Sequence, residues 1–230
     1  MTKKALVSLS GGLDSTTTLA IAKSKNFEPY VITFDYDQKN DIEVEAAKTI
    51  TNEMNVESHK IFPIRLSEIG GSALTDDIEV PKDQQKNKGI PVTYVAGRNI
   101  IFLSLAVSWA EVNDIQDIFI GVNSVDYSGY PDCRPEFIEA FQKAINLGTK
   151  SGVSGDEFTL HTPIIDLTKA EIIQTGTELG VDYSQTISCY DPDSRGRACG
   201  KCDSCRMRKK GFIKAGIKDP TRYQEGVKYD

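Results

Sequence analysis

Long apolar runs are missing from this 230-residue sequence, and no stretch approaches the ~18 residues that a membrane-spanning helix requires. The first residues, MTKKALVSLSGG, also lack the apolar core and cleavage site of a secretory signal peptide. We therefore expect a cytoplasmic protein with no membrane partner.

An excess of positive charge is also lacking. The 27 Lys and Arg residues are outnumbered by 33 Asp and Glu residues, so the net charge is −6 and broad attraction to nucleic acid or anionic membranes is disfavoured. The two histidines, His59 and His161, fall in or beside predicted strands, where we expect packing rather than catalysis. A content of 39% hydrophobic and 26% charged residues is typical of a globular protein and excludes a disordered or collagen-like chain.

The cysteines do not suit a disulfide framework, because their number is odd and four of them are packed between Cys189 and Cys205. There are five in all, and a reducing compartment keeps thiols free. Four of them follow the spacing C-x9-C-x2-C-x2-C, at Cys189, Cys199, Cys202 and Cys205. Four thiolates can complete a tetrahedral shell around a structural Zn²⁺, although an iron–sulfur cluster uses similar spacing. The basic residues around them indicate a nucleic-acid-binding ribbon, a solvated face or groups that serve the nearby phosphates.

Apolar strands alternate with helical periodicity along most of the chain. Strands are predicted over residues 5–9, 30–34, 59–62 and 118–122, and helices over 16–22, 42–54, 100–112, 134–148 and 168–179. This order predicts an α/β fold with a Rossmann-like parallel sheet and helices on both faces. Residues 66–92 lack periodicity and predict a long mobile loop of the kind that often forms a lid. We place a boundary near residue 182, with a nucleotide-binding domain over 1–182 and a zinc-binding segment over 183–230.

A glycine-containing loop stands between the first strand and the first helix. Its sequence is SGGLDS, from Ser10 to Ser15. Glycines let backbone N–H groups approach an anion, and the helix amino terminus adds positive potential, so the loop predicts a phosphate cradle. The loop has neither the Lys-Ser/Thr ending of a P-loop nor the three glycines of a dinucleotide fold. An ordinary glycine turn with a helix cap is the simpler alternative.

Two charged residues are candidates for catalysis. Asp14 is placed to hold a Mg²⁺ ion that neutralises departing phosphate charge. Arg98 follows the flexible segment and is a candidate second phosphate contact, with a solvated surface arginine as the alternative. Positioning and electrostatics would supply most of the catalysis in such a site.

The string GVNSVDYSGYPDCRPEF directly follows a predicted core strand. Ligands of open α/β sheets bind at the carboxyl ends of strands, so we expect the second substrate here. Tyr127 and Tyr130 are suited to stack on a planar ring, and Asp126 or Asp132 to accept its N–H groups. Arg134 is suited to pair with a carboxylate.

SGGLDS resembles the pyrophosphatase loop of the N-type ATP pyrophosphatases (PP-loop enzymes). The strings SGGLDSTTTL, FDYDQ, VAGRN, GVNSVDYSGYPDCRPEFI and TPIIDLTKAEII with the closing CxxCxxC, in this order over about residues 5–215, resemble the 7-cyano-7-deazaguanine synthases. The resemblance implies an adenine nucleotide alpha hydrolase-like fold. It also implies that ATP is bound by residues of the loop and first helix. These are Ser8, Leu9, Ser10, Gly11, Gly12, Leu13, Asp14, Ser15, Thr16, Thr17 and Thr18.

The resemblance also implies a reaction. ATP is cleaved between its α and β phosphates, and AMP is transferred to a substrate oxygen. Successive activation of a carboxylate and of an amide converts 7-carboxy-7-deazaguanine and ammonia into the nitrile 7-cyano-7-deazaguanine (preQ0) in queuosine biosynthesis. Zinc at the four cysteines and a homodimer are implied as well, and no direct contact with nucleic acid is expected.

The match has departures and alternatives. Residues 37–40 read Asp-Gln-Lys-Asn where the family usually has Gly-Gln, a basic residue and His, and Ala96 replaces a usual Pro. A tRNA-thiolating or amide-forming PP-loop enzyme is one alternative, and a zinc-ribbon nucleic-acid-binding module is another. Thiolation would need a sulfur-carrying cysteine, for which Cys133 is the one candidate outside the cluster. We expect Cys133 to line the pocket, because direct attack by ammonia needs no covalent nucleophile.

Overall fold

A five-stranded parallel sheet forms the centre of the molecule. The computed structural model describes residues 2–39, 41–83, 89–125 and 130–227. The strands are β1 (Lys3–Ser8), β2 (Phe27–Asp35), β3 (Ser58–Pro63), β4 (Asp117–Phe119) and β5 (Thr159–His161). Their order is β3-β2-β1-β4-β5, and every neighbouring pair is parallel, which confirms the predicted sheet.

Seven α-helices accompany the sheet in the described residues. They are α1 (Leu13–Ser24), α2 (Ile42–Glu53), α3 (Arg98–Val112), α4 (Pro135–Gly148), α5 (Lys150–Val153), α6 (Lys169–Glu178) and α7 (Asp203–Ala215). In α6 the Thr168 hydroxyl accepts the Glu171 N–H, and the Glu171 carboxylate accepts the Thr168 N–H, so this helix begins with a capping box. None of the described helices has both the length and the apolar character needed to cross a membrane.

Alternation along β1 places helices on both faces of the sheet. Leu6 points toward the apolar cluster that includes residues of α3 and α4. Its neighbours Ala5 and Val7 point to the other face, into the cluster with α1 and α2. Because successive side chains of a strand point to opposite faces, one apolar run serves two layers.

The residues after 182 pack closely on the rest of the chain. The Arg208 side chain on α7 is buried and donates to the Asp219 carboxylate at 3.3 Å, the Thr186 hydroxyl at 2.7 Å and the Tyr183 carbonyl at 2.8 Å. Phe212 on the same helix packs in a cluster with residues of α1 and α6. The boundary at 182 stays a prediction, and tight packing occurs across it.

Several apolar residues in the described part of the predicted mobile loop are anchored in the core, although many of its other residues are exposed. Leu66, Ala73, Leu74 and Val80 are all buried. Ala73 and Val80 pack against the four clustered cysteines. These apolar side chains show no periodicity because their partners come from a distant part of the sequence, and residues 84–88 of the predicted loop lie outside the described residues.

Candidate active site

The loop after β1 folds around its own hydroxyl groups. Ser10 donates its backbone N–H to the Ser15 Oγ at 3.1 Å, and the Ser10 and Ser15 hydroxyls are 3.0 Å apart. The Gly12 N–H donates to the Ser10 Oγ at 3.3 Å. These contacts hold the SGGLDS loop in a compact turn at the carboxyl end of the central strand.

The amino end of α1 is open to an anion. Its cap residue is Gly12, and no side chain of the described residues caps this end of the helix. Uncapped N–H groups and the helix dipole favour a negative group at such a position. The loop therefore has the features of a phosphate-binding turn.

Close backbone packing explains the first glycine of the loop. Gly11 has a φ of +81°, and a Cβ at this position would lie 2.3 Å from the Glu43 carbonyl oxygen of α2. Only glycine fits both the left-handed conformation and this approach without strain. The phosphate loop is thereby held directly against α2.

The three threonines that follow the loop turn away from the opening. The Thr16, Thr17 and Thr18 hydroxyls donate to carbonyls one turn earlier in α1, at 2.8–3.0 Å. Thr17 is also 2.7 Å from the Tyr183 hydroxyl. Their side chains stabilise the helix and its packing, so their role in ATP binding stays a prediction.

An ion pair lies at the mouth of the loop. The Lys169 Nζ of α6 is 2.7 Å from each carboxylate oxygen of Asp14. Both side chains line the same cavity as Ser10 and Ser15. This places a positive charge next to the predicted phosphate site.

The loop opens into a cavity of about 280 Å³. The cavity walls come from the loop, from α2 and α3, and from residues 187–190. Aromatic side chains line it at Tyr36, Phe102, Tyr130 and Tyr190. The space combines a phosphate-binding turn with an aromatic region that suits a planar ring.

Arg98 enters this cavity from the first residue of α3. Its guanidinium carbon lies 5.8 Å from the ring centres of Tyr36 and Tyr130 and 6.0 Å from that of Phe102. The structure thus brings Arg98 to the same space as the phosphate loop, among aromatic rings. A guanidinium in such a setting can bind a carboxylate or a phosphate while it contacts the rings.

The predicted substrate residues occupy different positions relative to the cavity. Tyr130 lines the cavity, and its hydroxyl donates to the Thr93 carbonyl at 3.1 Å. Asp132 is buried, is not among the cavity-lining residues, and accepts the Asn99 N–H of α3 at 3.0 Å. Arg134 is exposed outside the cavity and donates to the Pro131 carbonyl at 3.1 Å. The predicted Asp126 and Tyr127 lie outside the described residues.

Cys133 lines the cavity as a buried thiol. Burial and the nearby Asp132 raise its pKa to about 11. Asn99 donates to its sulfur at 3.3 Å. Because the thiolate is the nucleophilic form of cysteine, this environment does not favour covalent catalysis.

The four clustered cysteines form a compact sulfur site. Their sulfur atoms all lie within 4.8 Å of one another, and all four side chains are buried. Backbone N–H groups also point at the sulfurs, since the Cys199 N–H donates to the Cys189 Sγ at 3.2 Å and the Cys202 N–H to the Cys199 Sγ at 3.3 Å. The donor set therefore fits a thiophilic metal ion.

The sulfur site is joined to the cavity wall. Cys189 itself lines the cavity, together with Ile187, Ser188 and Tyr190. The Ile187 N–H donates to the Gly11 carbonyl of the phosphate loop at 2.9 Å. A metal bound at the cysteines would thus order a segment that contacts the phosphate loop.

Comparison with known proteins agrees with this geometry. Residues 4–216 match the family model described as Queuosine biosynthesis protein QueC. The chain belongs to the QueC family. A 7-cyano-7-deazaguanine synthase of Myxococcus xanthus (strain DK1622) is 58% identical over 230 residues, covering 99% of this chain and all of that protein. Another from Saccharophagus degradans (strain 2-40) is 59% identical over 222 residues, covering 96% of this chain and 98% of that one.

A solved structure also supports the fold of this QueC-family chain. NMN synthetase from Francisella tularensis aligns with a TM-score of 0.50 and 14% identity, over 94% of this chain and 79% of that chain. At this identity the likeness concerns the fold alone. The parallel sheet and its helices are thus shared with another synthetase.

Sequence reasoning missed several residues of the QueC-family cavity, among them Lys169, Tyr36 and Glu43. Lys169 stands inside the TPIIDLTKAEII string, directly after the capping Thr168, and that placement is the one signal of its position. Tyr36 and Glu43 flank the segment that departs from the family pattern. Tyr36 belongs to the FDYDQ string, which does not show that its side chain faces the cavity, whereas Glu43 carries no local motif and joins the site through the packing of α2 against the loop.

Proposed function

We propose that the chain converts 7-carboxy-7-deazaguanine, ammonia and ATP into 7-cyano-7-deazaguanine. One observation carries the proposal: a phosphate-binding loop and an arginine among aromatic rings line the same cavity. Membership of the QueC family and relatives named for this product support it. ATP and the planar acid can then meet in one space.

The first half of the reaction activates the carboxylate. A carboxylate oxygen of the substrate attacks the α-phosphorus of ATP, the bond to the bridging oxygen breaks, and pyrophosphate leaves with the bonding electrons. Loop N–H groups and the Ser10 and Ser15 hydroxyls hold the leaving phosphates. Lys169 supplies positive charge beside them.

The second substrate occupies the aromatic part of the cavity in this proposal. Tyr130 and Tyr190 contact the ring, and Arg98 pairs with the carboxylate and orients it toward the nucleotide. Ammonia then displaces AMP from the acyl adenylate to give the amide. The amide oxygen then attacks a second ATP with release of pyrophosphate, and the activated amide eliminates AMP, which carries that oxygen away, to form the nitrile.

Two metals belong to the proposal. Asp14 provides carboxylate oxygens of the type that Mg²⁺ prefers, and Mg²⁺ would neutralise charge on the phosphates. We assign a structural Zn²⁺ to Cys189, Cys199, Cys202 and Cys205. Four sulfurs bound tetrahedrally at ~2.3 Å from one Zn²⁺ are roughly 3.8 Å apart, which suits a group within 4.8 Å. Thiolates on separate irons of a cluster would need wider spacing.

A product assay tests the proposed function. The purified protein is incubated with 7-carboxy-7-deazaguanine, ammonium, ATP and Mg²⁺, and the purine is identified by mass. We expect the nitrile, with two AMP and two pyrophosphate released for each one formed, since each activation uses one ATP. Absence of both AMP and pyrophosphate with all substrates present would reject the proposal.

A homodimer and a cytoplasmic location complete the set of predictions from the family resemblance. Light scattering of the purified protein measures the first, with twice the chain mass of 25.4 kDa expected. Localisation of the tagged protein in fractionated cells measures the second.

A further inference from the structure

Glu43 brings an acidic side chain to the cavity from α2. Its backbone carbonyl packs against Gly11, so the helix position is fixed relative to the phosphate loop. Its side chain lines the same cavity as Ser10, Asp14 and Arg98. Glu43 thus faces the space in which the acyl adenylate would form.

Two acidic side chains line this cavity among the described residues, and they differ in their partners. Both oxygens of Asp14 contact Lys169 at 2.7 Å. Within the described ranges no hydrogen bond to the Glu43 carboxylate is found, and Arg98 is the charge that acts on it. The Glu43 oxygens are therefore open to a ligand that donates hydrogen bonds.

The surroundings of Glu43 keep it available as a base. Burial raises its pKa to about 7, and the charge of Arg98 opposes that rise. Tyr36 stays neutral, because burial raises its pKa to about 12. The other charged groups that line the cavity are Asp14, Lys39, Arg98, Lys169 and Arg208.

The reaction requires a proton acceptor at nitrogen. Ammonium has four protons and no lone pair, whereas the nitrile nitrogen has no proton. Two protons leave when ammonium and the acyl adenylate give the amide and AMP. One more leaves when the amide oxygen attacks ATP, and the last leaves when the activated amide eliminates AMP. A single base beside this nitrogen can serve every step, and no redox partner is involved.

We propose that the Glu43 carboxylate binds the incoming ammonium ion and accepts protons from its nitrogen during both amide and nitrile formation. The inference rests on the proposed function. Glu43 removes one proton from ammonium to release the lone pair and passes it to solvent. The C–N bond then forms, Glu43 accepts the second proton from the nitrogen, and the C–O bond to AMP breaks with its electrons leaving on AMP. Glu43 then gives its proton to solvent and is ready for the nitrile-forming steps.

Glu43→Gln tests this role, with Glu45→Gln as the matched control. Glu45 lies two residues further along the same helix and is exposed. Its carboxylate forms an ion pair with Lys48 and does not line the cavity. Each variant is assayed with ammonium for nitrile and with hydroxylamine for hydroxamate. Hydroxylamine is largely unprotonated at neutral pH, so it traps the acyl adenylate without a base.

We expect Glu43→Gln to lower nitrile formation by about 10²–10⁴-fold, the range for loss of a general base, while hydroxamate formation stays near the wild-type rate. Supplied with the amide intermediate, this variant should also be slow to form nitrile. In the wild type, kcat/KM for ammonium should fall as pH drops below about 7, because Glu43 becomes protonated, and Glu43→Gln should lose that dependence.

Two results would overturn the inference. Equal loss of nitrile and hydroxamate would place Glu43 in adenylation or folding, and unchanged nitrile formation would remove it from catalysis. A wild-type protein that releases neither AMP nor pyrophosphate would instead reject the proposed function, and the role of Glu43 with it.

Discussion

The phosphate loop and the cysteine-rich segment build two walls of one cavity by different means. The loop, residues 10–15, is held by its place between β1 and α1 and by Gly11 against α2. The segment over 187–205 has no strand or helix before α7, and its apolar contacts centre on the cysteines themselves. One wall is ordered by the sheet, whereas in our proposal the other is ordered by a metal bound at the cysteines.

The two walls therefore contribute different properties to the site: the loop supplies reactive and charged groups, and the cysteine-rich segment shapes the cavity. The loop carries the groups that meet phosphate, including Asp14 with its partner Lys169. The cysteine-rich segment contributes Ile187, Ser188 and Tyr190 to the wall, none of which carries a charge. We expect changes in the loop to affect turnover, and changes in the segment to affect metal content, stability and substrate affinity.

The largest effect should come from Cys202→Ser, which breaks the cross-link. Loss of one of four thiolates should release zinc and unfold the wall over 187–190, because structural zinc supplies the energy that orders such segments. We expect no measurable turnover and a Tm lower by on the order of 10 °C. Metal analysis and calorimetry measure these effects. Cys133→Ser is the control, and it should keep its zinc. A Cys202→Ser protein with the zinc content and Tm of the wild type would contradict the proposed cross-link.

Asp14→Asn, in the phosphate loop, should lower turnover without changing the fold. The change keeps the side-chain shape and removes the charge beside Lys169 and the phosphates. Turnover should fall about 10²–10³-fold, the usual effect of removing one group that stabilises transition-state charge, while the circular dichroism spectrum stays unchanged. The exposed Asp156→Asn is the matched control. Full activity of Asp14→Asn would remove Asp14 from the phosphate site.

Tyr190→Ala should affect binding more than turnover. Loss of the ring from the cavity wall should raise KM for 7-carboxy-7-deazaguanine about tenfold, as expected for one aromatic contact, with little change in kcat. Tyr190→Phe keeps the ring and should behave like the wild type. If kcat falls and KM does not change, the segment takes part in chemistry and the comparison fails.

The smallest expected effect is a difference in stability loss between alanine substitutions at two glycines with left-handed backbones, one in each wall. Gly11 has a φ of +81° and Gly200 of +70°. A Cβ at Gly11 would meet the Glu43 backbone, whereas one at Gly200 would meet a side chain, that of Val227, at 2.4 Å. Gly11→Ala should therefore lose about 1–3 kcal/mol more stability than Gly200→Ala in urea unfolding. Equal losses would show that the loop tolerates movement of α2.

Much of the fold could be predicted from local patterns. The helix from Pro135 and the capping box at Thr168 were visible because a proline in the first turn and a Thr-x-x-Glu spacing act within one helical turn. The three-residue strand β5 and the helix α7 were not predicted. A strand so short has no periodicity, and the basic, cysteine-rich sequence of α7 hides its one buried stripe.

The candidate site was predicted in part. The loop, Arg98 and Tyr130 lie on one cavity, whereas Arg134 is exposed and Asp132 caps α3. Residues of one loop lie close together, but their side chains can point to different parts of the structure. Which side chains face the cavity depends on how the loop after β4 packs on α3, and its sequence carries no signal for that.

The sequence by itself determined most of the strands and helices, the glycine loop and the group of four cysteines, because each depends on residues close together in the chain. Tertiary structure alone decided that Lys169 meets Asp14 across 155 positions, that Glu43 faces the cavity, and that the cysteine-rich segment forms its wall. Charge and burial at a site are set by every element that packs around it, and those elements come from distant parts of the chain.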